Sequence, residues 1–406
     1  VVAATRTVLE SLLAQAPDCS GIVMCTQMQG LVLTTENGQP LSNYISWRDE
    51  RALMPHPSGA GSYYDLLMQR VTPAERQRMG SELRPGLAVC MLFWLAECGQ
   101  LPAVDAIPSD LADFVVSNLC AEEPTIEPTN ASAYGCFDLE TGDWYWPFIE
   151  RLRLARLRWP RVRRTGEIVG RLRWGGRTIP IYTPLGDQPC SLAGALLQPG
   201  ELSINIATGS QVSLLRPRLE YGNHQTRPFF DGQYLNLITH IPAGRSLSLL
   251  VNFLSELATA QGARLEDPWG YIARAASEAG ETDLRVNLAF FASAFGNRGE
   301  IANIHEGNLS VGHLFRAAFE NMAENYYACA LRLSPSQDWE RIVFSGGLAQ
   351  RIALLRERIC ARLGAEYRLC PTSEDALLGL LALSLFFSGR TTSVSAAVRL
   401  LSEKMV

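Results

Sequence analysis

The sequence has little charge and none of the cysteine patterns that bind zinc. Only 19% of its 406 residues are charged, whereas 47% are hydrophobic, an ordinary share for a globular protein. Its ten cysteines include no C-x-x-C pair and no Cys/His zinc spacing. Most lie in apolar periodic segments, so we interpret them as small buried hydrophobes in a reducing compartment. With no secretory signal pattern in the sequence, we expect a cytoplasmic protein.

Long apolar runs and net positive charge are also lacking. The longest apolar run, residues 376–387, is too short to span a bilayer and predicts a buried helix. A net charge of −5 argues against a general nucleic-acid binder, because neutralising phosphates needs a positive surface. We therefore expect no membrane and no nucleic-acid partner. Arginine-dense residues 151–177 leave a nucleic-acid interpretation open, although arginines beside apolar positions usually form a solvated face.

The chain is long enough for two domains, and both halves mix strand hairpins with helices. This pattern predicts two α/β domains that meet near residue 199. The sequence begins without Met, directly in a helical repeat of Val8, Leu9, Leu12 and Leu13. We therefore expect the chain to be a fragment of a longer protein.

The most informative motif is Gly186-Asp187-Gln188-Pro189. A strand-like run, residues 179–185, precedes it, and a helix of small residues follows. A carboxylate between a strand and a helix is held rigidly, which suits a general base. The alternative is that Asp187 simply caps the helix N-terminus.

Two glycine-containing turns lie in the second half. Thr208-Gly209-Ser210 forms the tip of a predicted hairpin, where backbone N–H groups and hydroxyls can bind phosphate. Ser345-Gly346-Gly347 joins a predicted strand to a helix that we expect over residues 349–363. Glycines there would let a ring or a phosphate approach the backbone. Either turn, taken alone, could be ordinary chain reversal.

Two polar segments of the first half suit a polyol. Gln27-Met28-Gln29-Gly30 and Trp47-Arg48-Asp49-Glu50-Arg51 offer amide, indole, carboxylate and guanidinium groups at predicted strand ends. Directional polar groups beside an apolar wall are typical of sites for small polar ligands. The alternative is that Trp47 is a core residue and that Asp49 and Arg51 form a local ion pair.

Together these motifs resemble the FGGY family of carbohydrate kinases, and within it the sedoheptulokinase-like branch. Each motif is weak alone, but six in the same order and spacing are a strong signal. The matching segments are Gln27-Met28-Gln29-Gly30, Trp47-x-Asp49-x-Arg51, Asn130-Ala131-Ser132, Gly186-Asp187-Gln188, residues 205–210 and Ser345-Gly346-Gly347, with Glu374-Asp375-Ala376 resembling the start of the family's C-terminal helix.

The resemblance implies two ribonuclease-H-like domains, as in actin and hexokinase, with the first truncated at its N-terminus. Residues 1–198 would bind the sugar and residues 199–406 the nucleotide, with ATP and Mg²⁺ as cofactors and no metal ligand assigned. Asp187 would accept the proton of the sugar hydroxyl. A homodimer is left open. The implied sugar-site residues are Met28, Gln29, Trp47, Asp187 and Gln188, and the implied nucleotide-site residues are Thr208, Gly307, Gly346, Gly347 and Arg351.

The sequence departs from the family twice. Family members open with a Gly-x-Asp-x-Gly-Thr-Thr hairpin that serves phosphate and Mg²⁺, and this sequence has none. The family's Gln-Met-His-Gly is here Gln-Met-Gln-Gly, so Gln29 can bind a hydroxyl but cannot carry a proton. We expect the 406-residue chain by itself not to turn over ATP. Two functions stay open. One is a kinase acting on sedoheptulose, xylulose, glycerol or another polyol, and the other is an inactive relative that only binds sugar or nucleotide.

Overall fold

Capping residues and apolar periodicity account for most helix boundaries. The computed structural model describes residues 1–405. Ser62 with Asp65, and Thr72 with Glu75, form reciprocal capping boxes at the starts of two helices. The helices are α1 Val2–Gln15, α2 Tyr63–Met68, α3 Pro73–Arg78, α4 Ala88–Glu97, α5 Leu111–Cys120, α6 Pro128–Ala131, α7 Trp146–Arg151, α8 Asp187–Gly194, α9 Gly244–Ala260, α10 Pro268–Glu278, α11 Val311–Leu333, α12 Gly347–Arg351, α13 Ala353–Leu363, α14 Asp375–Phe387 and α15 Val394–Met405, with short 3₁₀ turns at Arg51–Leu53, Ser132–Tyr134 and Phe230–Gly232.

The strands are short in the first half of the chain and longer in the second. They are β1 Cys25–Thr26, β2 Val32–Thr34, β3 Ile107–Ser109, β4 Thr125–Ile126, β5 Phe137–Asp138, β6 Asp143–Trp144, β7 Arg161–Val162, β8 Ile168–Trp174, β9 Arg177–Tyr182, β10 Leu185–Gly186, β11 Glu201–Ile206, β12 Ser210–Arg216, β13 Gln225–Pro228, β14 Tyr234–Ile241, β15 Arg285–Asn287, β16 Glu300–Ala302, β17 Arg341–Ser345 and β18 Glu366–Leu369.

One six-stranded sheet organises the second half, in the order β13-β14-β12-β11-β17-β18. Strands β11, β12 and β14 pair antiparallel, whereas β11, β17 and β18 run parallel. If edge strand β13 is left out, the five remaining strands, counted along the chain, lie in the spatial order third, second, first, fourth and fifth. This order is the one expected for a ribonuclease-H-like domain. Helices α10, α11 and α13 contribute to the apolar core against this sheet.

In the first half, the pairing that matters most is between β1 and β10. These strands run parallel, with Cys25 opposite Leu185 and Thr26 opposite Gly186. Parallel strands end at the same edge of a sheet. The segment after β1 and the start of α8 therefore lie side by side.

The two halves meet where α8 packs across α14. Gly194 and Gly379 allow this close crossing, because a Cβ at Gly379 would lie 1.9 Å from the carbonyl oxygen of Cys190. One apolar cluster joins both halves here and includes Leu185 and Leu383. The crossing sets the position of α8, the helix that begins with Asp187.

Four sequence expectations need correction. The apolar and aromatic pattern of residues 44–47 predicts a strand, but the structure has one isolated bridge at Ile45, because a turn begins at Ser46. The run before Asp187 is two strands, β9 and β10, and not one. The helix predicted over residues 349–363 is broken at Ile352. The apolar run over residues 376–387 forms α14, but Leu377 and Leu381 are exposed, so only one face is buried.

Other expectations agree with the structure. Apolar periodicity predicts helices over residues 247–260, 269–279 and 311–330, and α9, α10 and α11 lie close to these positions. Helix α1 and the hairpin of β11 and β12 also lie where the sequence predicts them. All ten cysteines are free, and each is buried or half-buried. Among residues 1–405, no helix combines the length and the apolar character needed to cross a bilayer. Arginines 151, 158 and 163 form surface ion pairs with glutamates, as a solvated face would.

Candidate active site

Asp187 stands at the junction of β10 and α8. Gly186 is the N-cap residue, and no side chain caps this helix, so the capping interpretation of Asp187 is wrong. Asp187 is the first helical residue, and its Oδ1 accepts a hydrogen bond of 2.8 Å from the backbone N–H of Gln188. The Asp187 carboxylate reaches solvent.

The surroundings of Asp187 change its proton affinity. Burial of the carboxyl group among neighbouring protein atoms raises its pKa, and the negative charge of Asp375 raises it further. The backbone N–H of Gln188 and the charge of Arg227 act in the opposite direction. A carboxylate with a raised pKa that still touches solvent is a stronger proton acceptor than an ordinary aspartate. This is the property that a general base needs.

The segment after β1 lines the same edge. Met28 is buried, and its side chain packs on Gly186, where a Cβ would lie 2.9 Å from the Met28 Sδ. Gln29 has a φ of 81°, a strained conformation for a residue with a side chain. Tyr44 accepts a hydrogen bond from Gln27 and fills the space beside Gly30. Met28 and Gln29 thus lie in the segment at the same sheet edge as the start of α8.

Trp47 is not a core residue. Its side chain is 41% exposed, and the Arg48 guanidinium lies 5.0 Å from the centre of a Trp47 ring. Its carbonyl oxygen packs against Gly86, which ties it to the loop that contains Glu82. The expected local ion pair is present, since Arg51 binds Asp49 through two hydrogen bonds of 2.9 and 2.6 Å.

A polar network joins Gln188 to both halves of the chain. Arg227 on β13 donates a hydrogen bond to the Gln188 side-chain oxygen, and the Gln188 amide donates to Gln211 Oε1 at 2.9 Å. The same arginine binds Glu82 of the first half at 2.5 and 3.1 Å. Sequence reasoning missed Glu82 and Arg227.

The predicted nucleotide-site residues other than Gly307 lie at one end of the six-stranded sheet. The tip between β11 and β12 is fixed by α9, because the N–H groups of Gly244 and Arg245 donate to the carbonyls of Ala207 and Thr208 at 3.1 and 2.8 Å. Gly346, after the neighbouring β17, has a φ of 86°, and its Cβ would lie 2.4 Å from the carbonyl oxygen of Ile206. Only glycine suits this position.

This end of the sheet has open glycine backbone and exposed arginine side chains. A Cβ at Gly209 or Gly347 would meet nothing within 4 Å, so the backbone there can be approached closely. Arg351 is exposed at the end of α12. Arg245, which sequence reasoning missed, is also exposed, and its guanidinium lies 3.6 Å from the centre of the Phe291 ring. Open glycine backbone beside two exposed guanidinium groups is suitable for a phosphorylated ligand.

Gly307 lies in a separate polar turn. Its N–H donates to His305 Nδ1 at 3.2 Å, and Asp283 accepts hydrogen bonds from His305 and Asn308. These bonds lower the pKa of Asp283 to about 2. Among the hydrogen bonds of residues 1–405, none joins this turn to Thr208 or Gly346.

No part of the described chain gathers three His, Cys, Asp or Glu side chains in a way that could hold a metal ion. Kinase Mg²⁺ sites use one or two carboxylates together with substrate phosphates, so such a cluster is not required. We assign no metal ligand. A cavity of about 360 Å³ lies elsewhere, beside Glu122, Arg158 and Arg171, and none of the predicted site residues borders it.

Comparison with known proteins supports the family resemblance. Residues 1–194 match the model for the N-terminal domain of the FGGY family of carbohydrate kinases. Sedoheptulokinase of Mus musculus is 23% identical over 365 residues, which cover 82% of this chain and 71% of that protein. A glycerol kinase of Shewanella frigidimarina is 27% identical over 186 residues, 44% of this chain and 36% of that protein. Residues 1–194, just under half of the chain, are thus similar to the FGGY N-terminal domain, and the likeness to the mouse sedoheptulokinase extends over most of the chain.

Solved structures of carbohydrate kinases have the same fold. The gluconate kinase of Lactobacillus acidophilus superposes with a TM-score of 0.78 at 14% identity, covering 94% of this chain and 78% of that one. The ligand-bound xylulose kinase of Lactobacillus acidophilus has a TM-score of 0.77 at 15% identity, with the same coverage. The glycerol kinase of Plasmodium falciparum with ADP has a TM-score of 0.76 at 16% identity, again with the same coverage. The expected two-domain α/β fold of the actin and hexokinase type is thereby confirmed.

Proposed function

We propose that this protein transfers the terminal phosphoryl group of ATP to a hydroxyl of a sugar or polyol. Residues 1–198 form its sugar-binding domain and residues 199–406 its nucleotide-binding domain. One observation carries the proposal: Asp187, with its raised pKa, lies beside Met28 and Gln29, and the helix that it begins packs against the second half.

In this mechanism Asp187 accepts the proton of the sugar hydroxyl as its oxygen attacks phosphorus. Met28 supplies an apolar wall, and Gln29 and Gln188 supply amides that can bind hydroxyls in both directions. Trp47, whose side chain is exposed, supplies a flat face for the carbon skeleton. Phosphoryl transfer depends mainly on position and charge, so these contacts align the hydroxyl and need no covalent intermediate.

ATP supplies the phosphoryl group when bound. Thr208 lies at the hairpin tip, so it would hold the phosphates, with Gly346 and Gly347 beside the nucleotide and Arg351 at its edge. Gly307 is included because of the family resemblance alone. Mg²⁺ is the expected metal, and no step is assigned to it.

For the substrate we propose sedoheptulose, converted to its 7-phosphate. The support is the likeness to mouse sedoheptulokinase, which extends over most of this chain. Relatives named for xylulose and glycerol make these compounds the alternatives. A protein that only binds sugar or nucleotide is the second candidate. A cytoplasmic location and a homodimer stay predictions.

The test is sugar-dependent ADP formation with sedoheptulose, xylulose and glycerol. It is run on the 406-residue chain and on any longer chain that in-frame upstream codons encode. Asp187→Asn should keep sugar affinity and lower kcat by roughly 10²- to 10⁴-fold, the range for loss of a general base.

Asp375→Asn is a matched control. Asp375 also begins a helix, accepts a hydrogen bond from the next backbone N–H at 2.8 Å, and has a raised pKa. This control should keep kcat within a few-fold of the unmodified value. Sugar and ATP binding without any turnover in either chain would favour the binding-only candidate. A normal kcat in Asp187→Asn would remove Asp187 from the mechanism.

A further inference from the structure

Arg227 occupies an unusual place for a charged side chain. It lies on β13, the edge strand of the six-stranded sheet, yet only 4% of its side chain is exposed. Its ion-pair partner, Glu82, is fully buried and belongs to the first half of the chain. Burying two charges costs several kcal/mol, which is recovered only with good geometry and further hydrogen bonds.

That geometry is present. Arg227 Nε and Nη2 bind the two carboxylate oxygens of Glu82 at 2.5 and 3.1 Å. Gln225 Nε2 adds a third bond to Glu82 at 3.3 Å, and the backbone N–H of Thr226 donates to the Gly80 carbonyl at 3.0 Å. The Arg227 guanidinium is therefore fixed relative to both halves of the chain.

The remaining guanidinium nitrogen, Nη1, donates to the side-chain oxygen of Gln188. The Gln188 amide then donates to Gln211, which leaves this side chain with one orientation. The backbone N–H of the same glutamine binds Asp187. Arg227 thus fixes the side chain next to the proposed base without touching the base itself.

We propose that Arg227 is a positioning residue for the sugar site: it orients Gln188 beside Asp187 and couples this orientation to the contact between the two halves of the chain. This inference rests on the proposed function and adds to it a residue that acts through Gln188. Arg227 has a second effect through its charge, which lowers the pKa of Asp187 against the effects of burial and Asp375. The thiols of Cys25 and Cys190 lie near the same carboxylate.

Three variants separate orientation from charge. Arg227→Met removes both, Arg227→Lys keeps the charge near Glu82 but cannot make three directed bonds, and Gln188→Ala removes the oriented amide. Arg368→Met is the matched control, because Arg368 also binds a glutamate, Glu201, through two bonds of 2.8 and 2.6 Å but contacts the opposite end of α8.

Two measurements are made on the 406-residue chain. The Asp187 carboxyl is titrated by ¹³C NMR with labelled aspartate, and its signal is assigned by its loss in Asp187→Asn. Sedoheptulose binding is measured by calorimetry. Arg227→Met should raise the pKa of Asp187, because it removes the positive charge that lowers it. Both this variant and Gln188→Ala should weaken sugar binding about ten-fold. Arg227→Lys should keep the carboxyl titration near that of the unmodified chain but bind sugar as weakly as Gln188→Ala.

The inference would be overturned if Arg227→Met kept an unchanged Asp187 titration and full sugar affinity. The only effect of the substitution would then be the loss of stability that Arg368→Met also has. If Arg227→Met does not fold, full sugar affinity in Arg227→Lys overturns it equally. Absence of sedoheptulose binding in the unmodified chain would count against the proposed substrate. The carboxyl titration of the Arg227 variants would still decide the role of Arg227.

Discussion

Replacement of Gly346 by alanine should be far more costly than the same change at its neighbour Gly347. Gly346 has a φ of 86° and a ψ of 151°, a region that is essentially restricted to glycine. An added Cβ would also lie 2.4 Å from the carbonyl oxygen of Ile206 and 3.0 Å from its nitrogen. Backbone strain of about 1–3 kcal/mol and overpacking of about 1–3 kcal/mol together predict a loss of roughly 2–6 kcal/mol in unfolding free energy.

Gly347→Ala is the control for stability and a separate test of the nucleotide site. Gly347 begins α12, and its Cβ would enter open space, so alanine should leave stability unchanged or raise it by about 0.5–1 kcal/mol. That Cβ would project where the proposed site admits the nucleotide, so ATP affinity should fall.

Thermal unfolding and calorimetric titration with ATP measure both effects. For a domain of about 200 residues, each kcal/mol lowers Tm by about 2–4 °C, so Gly346→Ala should lower it by roughly 4–24 °C. An unchanged Tm in Gly346→Ala would refute the steric argument. Unchanged ATP affinity in Gly347→Ala would remove Gly347 from the site.

Three further predictions concern the first half and pH. Trp47→Ala should weaken sugar binding more than ATP binding in calorimetry and leave the chain folded, because Trp47 is already 41% exposed; unfolding of this variant would contradict the site assignment. Asp375→Asn removes a negative neighbour, so it should lower the pKa of Asp187 and move the acid limb of kcat/KM to lower pH. Burial raises the pKa of Glu127 to about 7, so stability should fall as pH rises from about 4.5 to 7, and Glu127→Gln should flatten part of this slope in Tm measured against pH.

The sequence predicted those elements whose structure is decided by interactions between residues close together along the chain. The hairpin of β11 and β12 follows from two apolar runs around Thr208-Gly209, and the start of α14 follows from Asp375 before an apolar run. The strand predicted around Ile45 failed because its backbone has one partner, Leu31, and turns immediately. The break at Ile352 could not be seen, because residues on both sides of it have helical patterns.

The part of the site that sequence reasoning missed depends on distance along the chain. Glu82 and Arg227 are 145 residues apart, and neither belongs to a recognisable motif. Asp187, Met28 and Gln29 were predictable because each follows a short strand, but their contact depends on the register of β1 against β10. A sequence pattern locates such residues at strand ends and does not show which strand ends are neighbours.

The placement of charge connects the fold to the proposed chemistry. Arg227 is anchored by Glu82 of the first half. A rotation between the halves would therefore separate Arg227 from Glu82 or pull Gln188 from its position. Separation would leave a fully buried carboxylate without its cation, a cost of about 3–5 kcal/mol. The ion pair therefore favours the arrangement in which Gln188 and Asp187 are both aligned. Any rotation between the halves should therefore pivot near this pair, close to where α8 crosses α14.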